Sequence, residues 1–313
     1  MLADLFSGGF RQYGLPRDRH GVRELPVERA VVQGQQQRHT PNCAARIRAA
    51  RARLFLVRTR IVWPLVAAAL LGGCAGTQAT PAQPERLTVQ VLGTLPHDST
   101  AFTEGLEYSG STLYESRGLE GQSALTAGPA GGTPAKQVTV ASPLFAEGIT
   151  VLGPKLWQLT WRDGIAIERD SQTLAELRRV HYDGEGWGLC HQPNGRLVMS
   201  NGSSQLTFRD PQTFAVTGSV EVGQDQLNEL ECVGDTVYAN VWQTGTILRI
   251  DANTGRITAK IDAGRLRTPT RPGEDVLNGI AAIPGTDEFL LTGKLWPSSF
   301  RVKFVPENQR TGT

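Results

Sequence analysis

Methionine and long apolar runs are both scarce in this chain of 313 residues. Met1 and Met199 are the only methionines. The most apolar stretch, residues 61–74 (IVWPLVAAALLGGC), is shorter than the roughly 20 residues that a membrane-spanning helix needs. Arg58 and Arg60 precede it, and small residues end it. This order of basic, apolar and small residues predicts a secretion signal over residues 57–73.

The cysteine that follows Leu-Gly-Gly is typical of a bacterial lipobox. On that interpretation Cys74 is lipidated and becomes the first residue of the mature protein. The protein would then be exported, on the periplasmic side, and held to a bacterial membrane by its lipid anchor. The alternatives are an ordinary signal peptide with an incidental cysteine, or a buried apolar segment.

Lysine is missing from the start of the chain. Residues 1–73 contain 12 arginines, no lysine and only four acids, and residues 1–56 have neither strand alternation nor a helical face. This segment reads either as a basic nucleic-acid-binding arm or as a doubtful N-terminal extension. We favour an assigned start that lies too early, with translation beginning near Val57, because signal peptides lie at true N-termini and no nearby methionine could serve.

Basic residues are the minority in the rest of the chain. After residue 73, 20 basic and 26 acidic residues remain, a formal charge of −6. This balance gives no support for nucleic acid or anionic lipid as a partner. Residues 74–86 are rich in Thr, Ala, Pro and Gln and predict a flexible linker. Residues 87–313 are left for one domain, which we expect to be a monomer.

Cysteine is too rare for a disulfide framework or a zinc site. Cys190 and Cys232 occupy nearly equivalent places in two repeats, described below. They could pair in an exported protein, but equivalent residues of neighbouring units usually lie farther apart than the roughly 7 Å that a disulfide spans. We therefore expect two separate buried thiols. No CxxC or HExxH spacing is present, so the pattern predicts no zinc mechanism.

One short pattern occurs five times, at intervals of roughly 40 to 50 residues. A phrase of glycine with an acid, asparagine or tryptophan opens an apolar strand, and a tight turn and a second strand follow. This period predicts an all-β, five-bladed β-propeller, in which equivalent positions of all blades surround one central channel. Residues 87–92 and 300–305 alternate as strands do, and we expect them to pair. The five openings are residues 102–106, 145–149, 186–189, 227–230 and 277–280.

The openings and the ends of the following strands predict a polar, aromatic-lined pocket at one channel mouth. Such a rim suits a small polar ligand, and a carboxylate among tryptophans has a raised pKa that suits acid–base work. Each tryptophan could instead be structural, and the asparagines could cap turns. The candidates are Glu104, Glu147, Trp161, Trp187, Asn228, Glu229, Trp242, Asn278, Lys294 and Trp296.

At these residues the sequence resembles the plant-type glutaminyl cyclases, or glutaminyl-peptide cyclotransferases, which are five-bladed propellers with many bacterial members. The resemblance covers about residues 98–305. Its motifs include FTEGLEY (102–108), FAEGIT (145–150), GWGL (186–189), LNELE (227–231) and TGKLWP (292–297). It implies conversion of the N-terminal glutamine of peptides to pyroglutamate, with release of ammonia.

The resemblance also implies residue roles. Glu147 would be the proton-shuttling acid, and Asn228 and Lys294 would stabilise the oxyanion. Trp161, Trp187 and Trp242 would line the substrate pocket, and Phe102, Glu104 and Phe145 would form its remaining wall. Two departures from the family pattern bear on substrate range. Glu104 stands where the plant sequences carry Gln, and Ala146 stands where they carry Gly.

The reaction implied by the resemblance needs no cofactor. A structural calcium ion is compatible with it, but the sequence assigns no metal ligands. The competing hypothesis is a non-catalytic exported propeller, a binding or scaffold lipoprotein, which would not need the polar rim. A propeller oxidoreductase or lactonase would need several acids at equivalent inner positions, whereas here Glu, Trp and Asn alternate.

Overall fold

The computed structural model describes residues 83–266 and 276–307. The doubtful extension, the signal segment, Cys74 and most of the linker lie outside the described residues, so the predictions about them stay predictions. The first strand begins at Glu85, two residues before the predicted domain start.

The described residues form an all-β structure, as the sequence predicts. Besides one short 3-10 helix at Gly264–Leu266, they form twenty strands. The strands are β1 Glu85–Pro96, β2 Thr103–Ser109, β3 Thr112–Arg117, β4 Ala124–Gly128, β5 Lys136–Thr139, β6 Ala146–Leu152, β7 Lys155–Thr160, β8 Ile165–Asp170, β9 Glu176–His181, β10 Leu189–His191, β11 Leu197–Met199, β12 Gln205–Arg209, β13 Val216–Glu221, β14 Leu227–Val233, β15 Thr236–Val241, β16 Thr246–Asp251, β17 Ile257–Asp262, β18 Leu277–Ala282, β19 Phe289–Gly293 and β20 Ser298–Pro306.

The strands form three four-stranded sheets and one eight-stranded sheet. The small sheets are β2 to β5, β6 to β9 and β10 to β13, each in chain order. The large sheet has the order β14-β15-β16-β17-β1-β20-β19-β18, and its two halves meet where β1 pairs with β17 in parallel. The first strands β2, β6, β10, β14 and β18 contact one another in cyclic order, with β18 returning to β2. They therefore surround a common centre.

The two ends of the domain pair, as the sequence predicts. Strand β1 runs antiparallel to β20, from the pair Leu87↔Pro306 to the pair Pro96↔Ser298. Residues more than 200 positions apart in sequence are thus joined by a hydrogen-bonded ladder. This pairing makes the first strand of the domain the fourth strand of its last unit.

The five repeated openings fall at the start of the five first strands. In β2, β6, β14 and β18 the register shifts at that point, between Thr103 and Gly105 in β2 and between Ala146 and Ile149 in β6. A β-bulge leaves residues outside the ladder and redirects their side chains. The acid and amide residues of the openings therefore stand at the irregular ends of the inner strands.

Glycine in these openings allows neighbouring inner strands to approach closely. A Cβ atom on Gly148 would lie 2.6 Å from the carbonyl oxygen of Trp187, and one on Gly188 would lie 2.2 Å from that of Asn228. The backbone N–H of Gly148 donates to the same Trp187 oxygen at 2.7 Å. The glycines are thus needed for contact between sheets.

A second repeated pattern lies at the turns that join β8 to β9, β12 to β13 and β16 to β17. Asp170, Asp210 and Asp251 each accept two backbone N–H bonds and one threonine hydroxyl bond through Oδ1. The shared Asp-x-x-Thr spacing in DSQT, DPQT and DANT is visible in the sequence. A short acidic side chain that bonds the backbone two and three residues on is a common way to form a turn.

The prediction of two separate thiols is wrong. Cys190 of β10 and Cys232 of β14 form a disulfide, with their Cα atoms 5.4 Å apart. Equivalent positions are this close because inner strands converge toward the centre, and Gly188 lets the backbones of β10 and β14 approach each other. The disulfide joins two sheets across 42 residues of sequence.

Candidate active site

Two buried glutamates, one from each of two neighbouring inner strands, form the centre of the site. Glu104 lies in the bulge of β2 and Glu147 in the bulge of β6, and their side chains are almost fully buried. Burial, the charge of Glu104 and a hydrogen bond with Glu104 raise the pKa of the Glu147 carboxyl group. Two carboxyl groups share such a bond only when one of them carries a proton.

Glu104 is the partner that a lysine contacts. The Nζ of Lys294 lies 2.8 Å from its Oε1 and 2.7 Å from its Oε2, and the Nδ2 of Asn278 donates to Oε2 at 3.2 Å. Glu104 lies in β2, Asn278 lies in β18 and Lys294 directly follows β19, so three strands contribute to this cluster. A bidentate ammonium contact strongly favours the ionised form of a carboxyl group.

Glu147 is the partner that holds a proton most readily. Burial is the main cause that raises its pKa well above the usual value, and the negative charge of Glu104 adds to the shift. The positive charge of Lys294 opposes the shift, while Glu185 and the hydrogen bond with Glu104 increase it. Its Oε2 is buried and has no hydrogen-bond partner among the described residues. An acid whose pKa is raised in this way can serve as a general acid.

Aromatic rings continue from the cluster along one wall. The Nζ of Lys294 lies 4.6 Å from the ring centre of Phe102, whose ring meets that of Phe145 at 6.2 Å, edge to face. The ring of Phe145 lies 5.5 Å from that of Trp161. Each ring comes from the beginning or end of a different strand, so the wall is assembled from neighbouring sheets.

A second aromatic pair comes from the next two sheets. The rings of Trp187 and Trp242 lie 5.7 Å apart at an angle of 74°. The carboxylate of Glu185 connects this pair to the first wall, because it accepts hydrogen bonds from the indole N–H groups of both Trp161 and Trp187. Ring contacts within each group and the Glu185 carboxylate between the groups therefore link all five rings.

Asn228 is held at the same end of the inner strands. It is buried in the bulge of β14, and its carbonyl oxygen accepts a hydrogen bond from the Ser200 hydroxyl at 2.6 Å. The same hydroxyl oxygen accepts from the N–H of Gly188, next to Trp187. The main chain of Asn228 is thus tied to the segment that carries Trp187.

Comparison with known proteins identifies the family. The family model described as Glutamine cyclotransferase matches residues 65–304. The chain belongs to the glutamine cyclotransferase family. A glutaminyl-peptide cyclotransferase of Arabidopsis thaliana is 35% identical over 237 residues, which cover 72% of this chain and 73% of the relative.

A solved structure of the family has the same architecture. The crystal structure of Myxococcus xanthus glutaminyl cyclase matches with a TM-score of 0.66 and 36% identity, over 71% of this chain and 98% of that one. This likeness supports the β-propeller interpretation of the described sheets. The family resemblance read from the sequence is confirmed.

Two of the candidates nominated by the sequence take no part in these contacts. Glu229 does not face the site, because its carboxylate accepts backbone N–H bonds from Leu106 at 3.2 Å and Ile280 at 2.8 Å. Trp296 is buried in a hydrophobic cluster with Ile280 and Leu291. Both are structural residues, which the repeat alone could not distinguish from site residues.

Sequence reasoning missed Glu185 and Arg162. Glu185 stands two residues before Trp187, within the phrase Gly-Glu-Gly-Trp-Gly, and Arg162 directly follows Trp161. Their nearness to two nominated tryptophans was the available signal. Neither residue lies in an inner strand, so the search of strand openings passed over them.

The described ranges contain neither a metal-binding cluster nor a membrane-spanning helix. In them, no group of three or more His, Cys, Asp or Glu side chains could hold a metal ion. The structural calcium ion that the resemblance allows therefore has no assigned ligands there. Across residues 83–266 and 276–307, no helix has the length and apolar character to cross a membrane.

Proposed function

We propose that this protein converts the N-terminal glutamine of peptides to pyroglutamate and releases ammonia. One observation carries the proposal: a buried, proton-holding Glu147 lies against an ion-paired Glu104 beside a wall of aromatic rings. The family relationship supports the same activity, since the Arabidopsis relative is a glutaminyl-peptide cyclotransferase.

Glu147 shuttles one proton between two nitrogens in this mechanism. The neutral α-amine attacks the γ-carboxamide carbon, and a carbon–nitrogen bond forms to close the five-membered ring. Glu147 gives the proton it holds to the amide nitrogen and takes the proton that the attacking nitrogen loses, so it ends the cycle protonated as it began. The bond to the amide nitrogen breaks, and ammonia leaves. The raised pKa of Glu147 keeps that proton available for the transfer.

Lys294 and Asn228 stabilise the charge that develops on the amide oxygen. The Lys294 ammonium has three protons, and its two contacts with Glu104 leave one for this oxygen. The side-chain amide of Asn228 is the second donor. Preorganised donors of this kind contribute roughly 3 to 4 kcal/mol each to transition-state stabilisation in known enzymes.

The aromatic rings hold the glutamine side chain in a folded-back conformation. Because the reaction is intramolecular, the enzyme gains mainly by restricting the substrate to conformers in which the amine meets the carboxamide carbon. Trp161, Trp187 and Trp242 would pack against the closing ring. Phe102, Phe145 and the acidic Glu104 would form the wall near the amine.

The scaffold is proposed to be a five-bladed propeller. The three four-stranded sheets and the two halves of the eight-stranded sheet make five four-stranded units, and their first strands contact in cyclic order. Strand β1 would complete the fifth blade as its outer strand. A ring closed in this way leaves few exposed sheet edges.

Export with a lipid anchor at Cys74 remains part of the proposal. Support comes from the Cys190–Cys232 disulfide, because disulfides persist in oxidising compartments such as the periplasm. The partners would be Gln-initiated peptides and, through the anchor, a membrane. Palmitate incorporation that Cys74→Ala abolishes would test the anchor, and persistence of the label would refute it.

An ammonia-release assay on a Gln-initiated dipeptide tests the activity. We expect turnover by the wild type and a loss of roughly 10²- to 10⁴-fold in kcat in Glu147→Gln, with the fold retained. Glu231→Gln is the matched control. Glu231 is also a buried inner-strand glutamate, and burial raises its pKa well above the usual value. The acids whose charges act on it are Glu107 and Glu229. Unchanged kcat in Glu147→Gln, or an equal loss in both variants, would refute the role of Glu147.

A further inference from the structure

One carboxylate oxygen joins the two tryptophans that lie on either side of the candidate site. Glu185 lies in the loop between β9 and β10, and its Oε2 accepts a hydrogen bond from Trp161 Nε1 at 2.9 Å. The same oxygen accepts one from Trp187 Nε1 at 3.1 Å. Trp161 follows β7 of one sheet and Trp187 precedes β10 of the next. The planes of the two indoles are therefore set by a shared acceptor.

The other carboxylate oxygen is held by a residue that also covers an indole. Arg162 Nε donates to Glu185 Oε1 at 3.1 Å, and the guanidinium carbon lies 3.8 Å from the ring centre of Trp161. A guanidinium over an indole face is attractive, and hydrogen bonds to a carboxylate are stronger than neutral ones. Glu185, Arg162 and Trp161 therefore restrain one another.

The main chain around Glu185 has little freedom to move. The N–H of Gly186 donates to the carbonyl oxygen of Trp161 at 2.9 Å, and the N–H of Trp187 donates to that of Ser200 at 3.1 Å. A Cβ atom at Gly186 would lie 2.2 Å from the Tyr182 hydroxyl oxygen. These contacts place Glu185 beside both indoles through the backbone as well as through its side chain.

The charge of Glu185 also reaches the proton-holding acid. Burial and the charge of Glu104 are the main causes that raise the pKa of Glu147, and the negative charge of Glu185 raises it further. Removal of that charge therefore affects the acid even where the indoles keep their positions. A substitution that removes the charge of Glu185 but keeps the indoles in place therefore separates its electrostatic effect from its geometric effect.

We propose that Glu185 is the positioning residue of this site: it fixes the indoles of Trp161 and Trp187 at the separation that holds the glutamine side chain folded back. The inference rests on the proposed function and names a determinant within that site. Small misplacements of groups that orient a substrate are costly, with losses of about 100-fold for a shift of about 1 Å. Glu185 acts through the indoles and performs no chemistry itself.

Two substitutions separate geometry from charge. Glu185→Ala removes the shared acceptor, and we expect kcat/KM for a Gln-initiated dipeptide to fall by about 10- to 100-fold, with a raised KM. Glu185→Gln keeps an oxygen that can accept from both indoles. We expect it to recover most of the kcat/KM at neutral pH. Because the negative charge is lost, the pKa of Glu147 falls and the alkaline limb of the pH profile should move to lower pH.

A surface pair elsewhere in the fold serves as the matched control. Glu176 pairs with Arg179 on β9, with side-chain exposures of 38% and 41%, against 38% for Glu185 and 49% for Arg162. Glu176→Ala removes an equally exposed carboxylate from an arginine without touching an indole. We expect its kcat/KM and its pH profile to match the wild type.

Near-UV circular dichroism and tryptophan fluorescence give a readout that does not depend on activity. Glu185→Ala should change both spectra, and Glu185→Gln and Glu176→Ala should leave them close to wild type. Wild-type kinetics and spectra in Glu185→Ala would overturn the proposal, as would equal impairment of the Ala and Gln variants. If the wild type releases no ammonia, the proposed function fails, while the spectra still decide whether Glu185 orients the indoles.

Discussion

Lys294 contacts both carboxylate oxygens of Glu104, at 2.8 Å and 2.7 Å, although the two residues stand 190 positions apart in sequence. Both side chains are buried, so little solvent screens the pair. Beside the main effect of burial, the charge of Glu104 raises the pKa of Glu147 and that of Lys294 lowers it, so the three residues are electrostatically linked. The pH dependence of the reaction should therefore respond to each of them.

Glu104→Gln should move the alkaline limb of the pH profile of kcat/KM to lower pH, because the protonated form of Glu147 is lost as the pH rises through its pKa. Burial and then the charge of Glu104 raise the pKa of Glu147, and Lys294 lowers it. A neutral residue at 104 removes the repulsion and leaves the ammonium of Lys294 to favour the ionised Glu147. The pKa of Glu147 should therefore fall. A steady-state profile from pH 5 to 9 measures the limb, and a limb that stays in place would contradict the proposed coupling.

His97→Asn should destabilise the fold more at low pH than at high pH. Both ring nitrogens of His97 face acceptors, the carbonyl oxygen of Trp296 at 2.6 Å and Glu115 Oε1 at 2.8 Å. Burial lowers the pKa of His97, but the hydrogen bond and charge of Glu115 outweigh it, and the net pKa is raised above 6.5.

A raised pKa in the folded state stabilises the fold fully below the unfolded value of 6.5. This contribution disappears as the pH rises through the folded pKa. Urea unfolding of wild type and His97→Asn at pH 6 and pH 9 measures it, and we expect a difference of about 2 kcal/mol at pH 6 that shrinks at pH 9. A difference that is equal at both pH values would show that His97 is not charged.

Replacement of both disulfide cysteines should lower the free energy of unfolding by about 4 kcal/mol, the value expected for a closed loop of about this length. Cys190 and Cys232 are separated by 42 residues and connect two sheets. Urea unfolding of the Cys190→Ala/Cys232→Ala protein measures the loss. The wild type in reducing agent should approach the same value, and an identical stability with and without reductant would contradict a disulfide in solution.

Gly148→Ala should destabilise the fold by about 3 kcal/mol, because its Cβ would lie 2.6 Å from the Trp187 carbonyl oxygen. That atom belongs to the backbone of the neighbouring sheet and cannot rotate away. Gly93→Ala is the control, since its Cβ would meet only the Arg301 side chain, at 3.9 Å. Thermal unfolding measures both variants. Equal melting temperatures for the two variants would mean that the neighbouring sheets can move apart at Gly148 with little loss of stability.

The local pattern of the sequence was enough to predict the β class and the inner strands that carry the candidate site residues. Alternating apolar residues and turn glycines specify hairpins through contacts close in sequence, so the repeated openings predicted the inner strands correctly. The same openings nominated Glu104, Glu147 and Asn228, because an acid or amide in an apolar strand is costly unless it has a partner or a function.

Contacts between sheets decided what the sequence left open. The pairing of Cys190 with Cys232, the structural use of Glu229 and the position of Glu185 each depend on residues that lie far apart in the chain. No local periodicity encodes such distances, because they follow from how closely neighbouring inner strands pack. The residue types and their order therefore determined the strands and the candidate chemistry, while only the packing of sheets around a common centre determined which side chains meet.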